Sequence, residues 1–319
     1  MNRVPVVCLV GPTGVGKSEV ALALAGRWGA EIVAADSRQV YRGLDLGTAK
    51  PSAADRDRIP HHMIDIVEPD QAYNAGHYER DASRCIDALT RRGAKVLVVG
   101  GTGLYLRALL WGLCDGPPAD DDFRAEWLER ERELPGVLYR RLSDVDPRAA
   151  ALIHPNDLPK ILRAVEVHAL TGVPLSVLHE SHGFRIPRYP YVIFGLRRDR
   201  EDLHRRIDAR VEEMVAQGLV DEVDRLRQRG YGSHLPAMRA VGYHQILDAF
   251  EGRYTMDEAV RLIARETRRY AKRQMTWFGA DPTIRWLHLE PESPPAETAD
   301  RILACLDAAE TCSAGQEKG

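Results

Sequence analysis

The sequence predicts an α/β protein. A mainly parallel sheet flanked by helices forms a P-loop-type core, and a helical subdomain is inserted into it. Three observations carry this. The apolar run from Val6 to Val10 enters a loop of the form G-x-x-x-x-G-K-S, and a helical pattern leaves it from Glu19. Further apolar runs at 31–35, 95–99 and 191–196 alternate with stretches of helical spacing, the pattern of parallel strands joined by helices. From Gly116-Pro117-Pro118 to about Tyr189 the strand signals stop and helical patterns alone remain. The expected division is a catalytic core at 1–117 and 190–319, with the insert at 118–189.

The loop Gly11-Pro12-Thr13-Gly14-Val15-Gly16-Lys17-Ser18 is a phosphate cradle by residue type. Its glycines let successive backbone N–H groups face one hollow, and the following helix adds its positive dipole end. Lys17 brings a full charge, and Ser18 offers a hydroxyl to a magnesium ion. A plain glycine turn would leave the Lys-Ser pair unexplained. The motif alone does not say which phosphate compound binds.

The next strand, 31–35, ends at Asp36. Ligands of open α/β sheets sit beyond the carboxyl ends of the strands, so Asp36 belongs near the hollow as a base or magnesium partner. An N-cap is the plainer alternative. His61 and His62 are neighbours on a short strand and face opposite ways, which suits a core histidine better than a joint metal site. A helix over 76–92 stops at Gly93, and the buried strand 95–99 runs into Gly100-Gly101-Thr102-Gly103. A Walker-B strand would end in an acid; close backbone approach to a ligand explains glycines instead. A helix resumes over 104–111.

Beyond the insert, 191–196 rejoins the sheet. Amphipathic segments follow at 201–217 and up to Arg229. Thr255-Met256-Asp257-Glu258 has the form of a capping box and opens a helix reaching Gln274 or beyond. On it Arg261, Arg265, Arg268 and Lys272 make one basic stripe, with Glu266 the one acidic neighbour noted. Such a stripe is either a solvated face or a nucleic-acid backbone contact. A late strand at 283–289, a Pro- and Glu-rich linker, a short helix at 299–309 and a disordered tail complete the chain.

The 319 residues, 44% hydrophobic with net charge −3, suit a globular protein with a sizeable core. The charge neither announces nor excludes a nucleic-acid partner. The cysteines Cys8, Cys85, Cys114, Cys305 and Cys312 have neither zinc-ligand nor disulfide-framework spacing. A reducing cytoplasmic setting, no membrane span, no signal peptide and a monomer are expected.

Taken together, several blocks resemble the tRNA dimethylallyltransferase (tRNA isopentenyltransferase) family, bacterial type. They are the Gly11–Ser18 loop, Asp36-Ser37-Arg38-Gln39-Val40-Tyr41, Asp45-Leu46-Gly47-Thr48-Ala49-Lys50-Pro51, His61-His62, Val98 to Tyr105, Asn156-Asp157 with Arg163-Ala164, Arg239-Ala240-Val241-Gly242-Tyr243, and Tyr270 to Phe278. The resemblance implies transfer of a dimethylallyl group from dimethylallyl diphosphate to N6 of adenine 37, in tRNAs reading codons that begin with U. Diphosphate leaves, magnesium (Mg2+) assists through Ser18, and no phosphoryl group moves, so a Walker-B acid is not required. On this reading Asp36 is the base. Lys17, Arg239 and the loop N–H groups stabilise the departing diphosphate, and Thr13 bonds an oxygen near the breaking bond.

The resemblance further implies that Asp36, Ser37, Arg38, Gln39 and Thr102 contact the tRNA near its target, an adenine everted from the anticodon stem-loop. The insert, with Lys160 and Arg163, would grip the stem, and Lys272, Arg273 and Gln274 would join the RNA contact. Lys160 stands where the family usually has arginine, which loses the bidentate fork. A small-molecule P-loop kinase and a nucleotide-gated RNA-binding switch are the rival readings. The switch would want an N-K-x-D element or a clear Walker-B acid, and neither is found.

Overall fold

The computed structural model describes residues 5–114, 116–183 and 186–316, with side chains through residue 308. It comprises two compact units: Met1–Leu110 with Arg188–Gly319, and Trp111–Pro187. The helical unit therefore starts and ends earlier than the expected 118–189. The helix 103–111 carries the chain out, and Arg188 N–H is already bonded to Leu110 O at 2.7 Å.

In the larger unit β1 (Val6–Val10) lies in the middle of the sheet, every residue buried. After it come α1 (Lys17–Trp28), β2 (Ala30–Ala35), the short α2 (Ala53–Arg58), β3 (His61–His62), α3 (Ala75–Arg91), β4 (Lys95–Gly100) and α4 (Gly103–Trp111). The smaller unit holds α5 (Asp121–Glu133), α6 (Val137–Val145), α7 (Pro147–Ala150), α8 (Leu158–Thr171) and α9 (Leu175–His182). The chain then returns through β5 (Tyr191–Arg197), α10 (Arg200–Ala216), α11 (Leu219–Gln228), a 3₁₀ turn (Ala237–Arg239), α12 (Tyr243–Phe250), α13 (Met256–Gly279), β6 (Arg285–His288) and α14 (Pro295–Gln316).

The six strands are ordered β3-β2-β4-β1-β5-β6, and every pair is parallel. The inner strands β1, β2, β4 and β5 are mostly apolar because helices cover the sheet. Val10 stands opposite Gly100 on one side and Gly195 on the other, so the phosphate loop leaves β1 between two glycine-bearing strand ends. One core joins the sheet to α1, α10 and α14 through Leu9, Leu24, Phe194, Ile207 and Ile302. A second core, built from Tyr41, Leu44, Val223, Tyr243 and Ile263, ties the segment after β2 to α10–α13. The helical unit has its own core around Leu138, Leu142, Ile161 and Val165.

Two expectations are corrected. The C-terminal helix starts earlier and runs further than 299–309, taking in much of the segment read as a disordered tail. The tail's residues 317–319, and the side chain of Cys312, lie outside the described residues. Neither adjacent histidine is a core residue. Both are half-buried, His61 Nδ1 against Ile59 O at 2.7 Å and His62 Nε2 against Glu31 at 2.8 Å.

Candidate active site

The loop Gly11–Ser18 closes over the carboxyl end of β1. Gly14 and Gly16 take φ values of +80° and +102°, left-handed conformations that a side chain would resist. Lys17 opens α1, and its Nζ donates to Pro12 O at 2.7 Å, which folds the side chain across the loop. The hollow in front measures about 370 Å³ and is lined by Thr13, Lys17, Ser18, Asp36, Arg206, Arg210 and Glu213 among others. Burial draws the Lys17 ammonium down to about 7, the Arg210 charge adds to this, and the Asp36 carboxylate opposes it.

Two arginines brace the loop by its carbonyls. Arg206 Nε donates to Gly14 O at 3.0 Å, and Arg198 Nε donates to Val15 O at 2.9 Å. Arg198 is also paired with Asp202 at 3.0 Å. Sequence reasoning missed both, along with Arg210. They lie on or just before α10, far along the chain, and Arg198 alone stands immediately after a sheet strand.

Asp36 caps a turn and borders the hollow. Its Oδ1 accepts from Arg38 N–H at 2.8 Å and Gln39 N–H at 3.3 Å. Beside it Ser37 N–H donates to Thr102 Oγ1 at 3.0 Å, bringing the ends of β2 and β4 together. A second cavity, about 290 Å³, opens next to the first. Its wall mixes Arg38, Arg239 and Arg273 with apolar Ile207, Val211, Met214, Leu219 and Ile263. Thr13, Asp36, Thr48, Arg210 and Tyr270 border both cavities. The Tyr270 hydroxyl bonds Thr102, and burial together with the Asp36 charge pushes it up to about 12.

The consecutive residues Lys272, Arg273 and Gln274 point three ways, as successive positions on a helix must. Lys272 is exposed and lines a groove beside Arg200 and Arg268. Arg273 lines the second cavity, its guanidinium 5.7 Å from the Tyr270 ring centroid. Gln274 turns inward and is buried, which corrects its expected RNA contact. Its Oε1 accepts from Thr13 N–H at 2.8 Å and its Nε2 donates to Gly101 O at 2.9 Å, so it straps the phosphate loop to β4.

Gly101 and Gly103 make room for α13, and Gly100 and Gly101 also border the phosphate hollow. A Cβ on Gly101 would stand 2.1 Å from the Gln274 amide, and one on Gly103 would stand 2.1 Å from the Trp277 indole.

Other expected contacts are also redirected. The Gln39 amide donates to Thr48 O and Ala49 O at 3.1 and 3.2 Å, so in this structure it holds the loop 45–50 instead of offering its donor to a base. Arg163 donates to the fully buried Glu166 at 2.6 Å and to Pro117 O at 2.8 Å, as a strut of the helical unit. Lys160 is largely exposed and pairs with Asp157 at 2.5 Å. The basic stripe is offset by more acids than its sequence suggested. Arg268 pairs with Asp208, Arg265 and Arg269 with Glu266, and Arg261 with Glu258. Arg239 is exposed and lines the second cavity, whereas the arginines on the phosphate hollow are Arg206 and Arg210.

No group of three His, Cys, Asp or Glu able to hold a metal occurs among the described residues. The hollow does suit a magnesium ion that takes most of its ligands from phosphate and water. The exposed Ser18 hydroxyl and the carboxylates of Asp36 and Glu213 border the same space. Among the described residues no single helix is long and apolar enough to cross a membrane.

A family model described as IPP transferase matches residues 39–281, and one described as isopentenyl transferase matches residues 4–64. The chain is 51% identical over 287 residues to tRNA dimethylallyltransferase 1 of Citrifermentans bemidjiense, covering 90% of this chain and 92% of that protein. It is 49% identical over 293 residues to tRNA dimethylallyltransferase 2 of Geotalea uraniireducens, covering 92% and 94%. Among solved structures, the tRNA isopentenylpyrophosphate transferase of Bacillus halodurans matches with a TM-score of 0.71 at 35% identity, over 97% of this chain and 99% of that one. A eukaryotic dimethylallyltransferase acting on tRNA matches with a TM-score of 0.77 at 26% identity, over 89% and 73%.

Proposed function

This chain belongs to the IPP transferase family, the tRNA dimethylallyltransferases, and from that premise we infer how its two cavities divide the reaction. It is a prenyltransferase that modifies tRNA. The donor is dimethylallyl diphosphate, with its diphosphate in the glycine hollow. The acceptor is N6 of adenine 37, in tRNAs reading codons that begin with U, everted from the anticodon loop into the second cavity.

The amine of adenine is a poor nucleophile because its lone pair is delocalised into the ring. As that lone pair forms the new N–C bond to the allylic carbon, the carbon–oxygen bond breaks and the electron pair leaves with diphosphate. The N6 proton passes to Asp36. The observation that carries this reading is the Asp36 carboxylate in the wall common to both cavities. Thr13, anchored by the bond from its N–H to Gln274, and the Lys17 ammonium serve the diphosphate side. The apolar residues of the second cavity suit a five-carbon prenyl chain, and Arg38, Arg239 and Arg273 suit the RNA backbone at its mouth. Ser18 would hold a magnesium ion beside the diphosphate, and the ion would supply further charge neutralisation. The helical unit, with exposed Lys160, takes the stem of the anticodon arm; the protein acts as a monomer in the cytosol. The kinase alternative is not favoured, and β4 ends in Gly100 without an acid.

Incubating the protein with unmodified anticodon stem-loop RNA, dimethylallyl diphosphate and magnesium should add one dimethylallyl group to adenine 37, read by nucleoside mass analysis. Asp36→Asn keeps an Oδ1 for the Arg38 and Gln39 N–H groups, so the turn should survive. Its turnover should fall by about 10²–10⁴-fold, the worth of a positioned base, with pyrophosphate affinity near wild type. Full turnover in that variant would remove Asp36 from the base role.

A further inference from the structure

We propose that Met214 sets the length of the prenyl group this protein transfers: its side chain closes the apolar wall of the second cavity one helical turn too soon for a ten-carbon chain. This rests on the reading of the two cavities above.

Helix α10 leads from the phosphate loop along the second cavity. At its near end Ile207 packs against the loop, where a Cβ on Gly14 would stand 2.8 Å from Ile207 Cγ1. The same helix then presents Val211 and Met214 to the cavity. Spacings of four and three residues keep these side chains on one face, about 6 and about 10 Å beyond Ile207 along the axis. Arg210, between Ile207 and Val211, borders both cavities, so the junction lies abreast of that turn.

A prenyl chain grows in nearly the same step. Each added isoprene unit lengthens an extended chain by about 5 Å, close to the pitch of about 5.4 Å of an α-helix. The tip of a dimethylallyl group reaches about 4 Å from its reacting carbon, and wall atoms in contact with it lie about 3.5–4 Å further on. Met214 stands about 6 Å past Arg210 and about 10 Å past Ile207 along the helix, which brackets that depth. A geranyl tip, at about 9 Å, would fall on the Met214 side chain itself.

Met214 is also the adjustable part of this wall. Ile207, Val211, Leu219 and Ile263 are buried in the two cores of the larger unit. Met214 is half-buried and packs on the edge of the second core. An unbranched thioether fills an irregular end wall, and it can be shortened without opening the core behind it. With a ten-carbon donor the bonds exchanged are the same. N6 forms the new N–C bond, the carbon–oxygen bond breaks with its electron pair leaving on diphosphate, and the N6 proton passes to Asp36. Selection therefore lies in the room beyond the allylic carbon.

The test compares dimethylallyl and geranyl diphosphate as donors to stem-loop RNA with magnesium, in wild type, Met214→Ala, Met214→Val and Met214→Leu. Wild type should prefer dimethylallyl diphosphate by roughly 10²-fold or more in kcat/KM. Met214→Ala should raise geranyl transfer and lower dimethylallyl transfer, chiefly through KM, moving their ratio by about 10- to 100-fold. Leucine, close to methionine in volume, should restore the wild-type ratio. Should Met214→Ala not fold, Met214→Val should show a smaller shift in the same direction. A ratio within threefold of wild type in the shortened variants, or wild type using both donors equally, would overturn the assignment. So would an equal loss for both donors with weaker RNA binding, which would make Met214 a wall of the adenine pocket. Failure of wild type to prenylate RNA from dimethylallyl diphosphate would instead sink the reading beneath. In that event, competition of the two donors with pyrophosphate on the RNA-free protein still shows whether Met214→Ala favours the longer chain.

Discussion

Gln274 separates two accounts of the K-R-Q-x-T-W segment: an RNA contact, or a strut that shapes the phosphate loop. Replacing it by methionine keeps the length and most of the volume and removes only the amide. Two polar groups then lose their partner, Thr13 N–H and Gly101 O. A buried group left unpaired costs about 1–3 kcal/mol. Gly101 is buried, whereas Thr13 borders both cavities and can turn to water, so its share is smaller. The sum is about 2–3 kcal/mol, a roughly 30- to 150-fold shift in the folding equilibrium. Urea denaturation of the full chain should show this as a lower midpoint with little change in slope. Pyrophosphate should bind more weakly, because Thr13 is no longer held, while stem-loop RNA affinity moves less than threefold. An unchanged midpoint together with a tenfold loss of RNA affinity would refute the strut and restore the RNA contact.

Three further outcomes are expected. Lys17 is drawn to about 7 in the empty hollow, so above that pH it must take up a proton to meet diphosphate. Pyrophosphate affinity should therefore fall as pH rises from about 7 towards 9, with proton uptake visible by calorimetry in two buffers, and Lys17→Met should lose this dependence. The same depression means the unfolded chain binds more protons between about 7 and 10.5, so the Lys17 contribution to ligand-free stability rises with pH over that window. In the helical unit, Arg163→Ala removes one of two guanidinium partners of buried Glu166 but leaves Arg124 at 2.7 Å. A loss of about 1–3 kcal/mol in urea denaturation is expected, against less than about 0.5 kcal/mol for Lys160→Ala, whose ion pair lies at the surface.

How much of the site was legible in the chain depends on the range of the interactions. The phosphate loop, the strand before it and the acid after β2 are local patterns, each set by residues within a turn of one another. Asp36 was read as either site residue or cap; in the structure one carboxylate oxygen caps the turn and the residue borders both cavities. The glycines after β4 were assigned to a ligand because spacing records only that something comes close. For Gly101 and Gly103 the nearest neighbour is α13, some 170 positions later in the chain, while Gly100 and Gly101 border the hollow as well. Gln39 and Arg163 carry polar groups suited to RNA, and nothing local says that backbone carbonyls and a buried carboxylate already take them. Arg198, Arg206 and Arg210 had no motif to mark them.

By itself the sequence determined the strands of the sheet, the parallel α/β class, the phosphate-binding loop and, through several ordered blocks, the family. Periodicity, turn chemistry and motif spacing are properties of neighbours along the chain. Tertiary structure alone decided which way Lys272, Arg273 and Gln274 face, which arginines brace the loop, and which cation stands at the junction of the two cavities. Those outcomes depend on where α10 and α13 pack against the strand ends, and the burial of long-range contacts sets that packing, not any local preference.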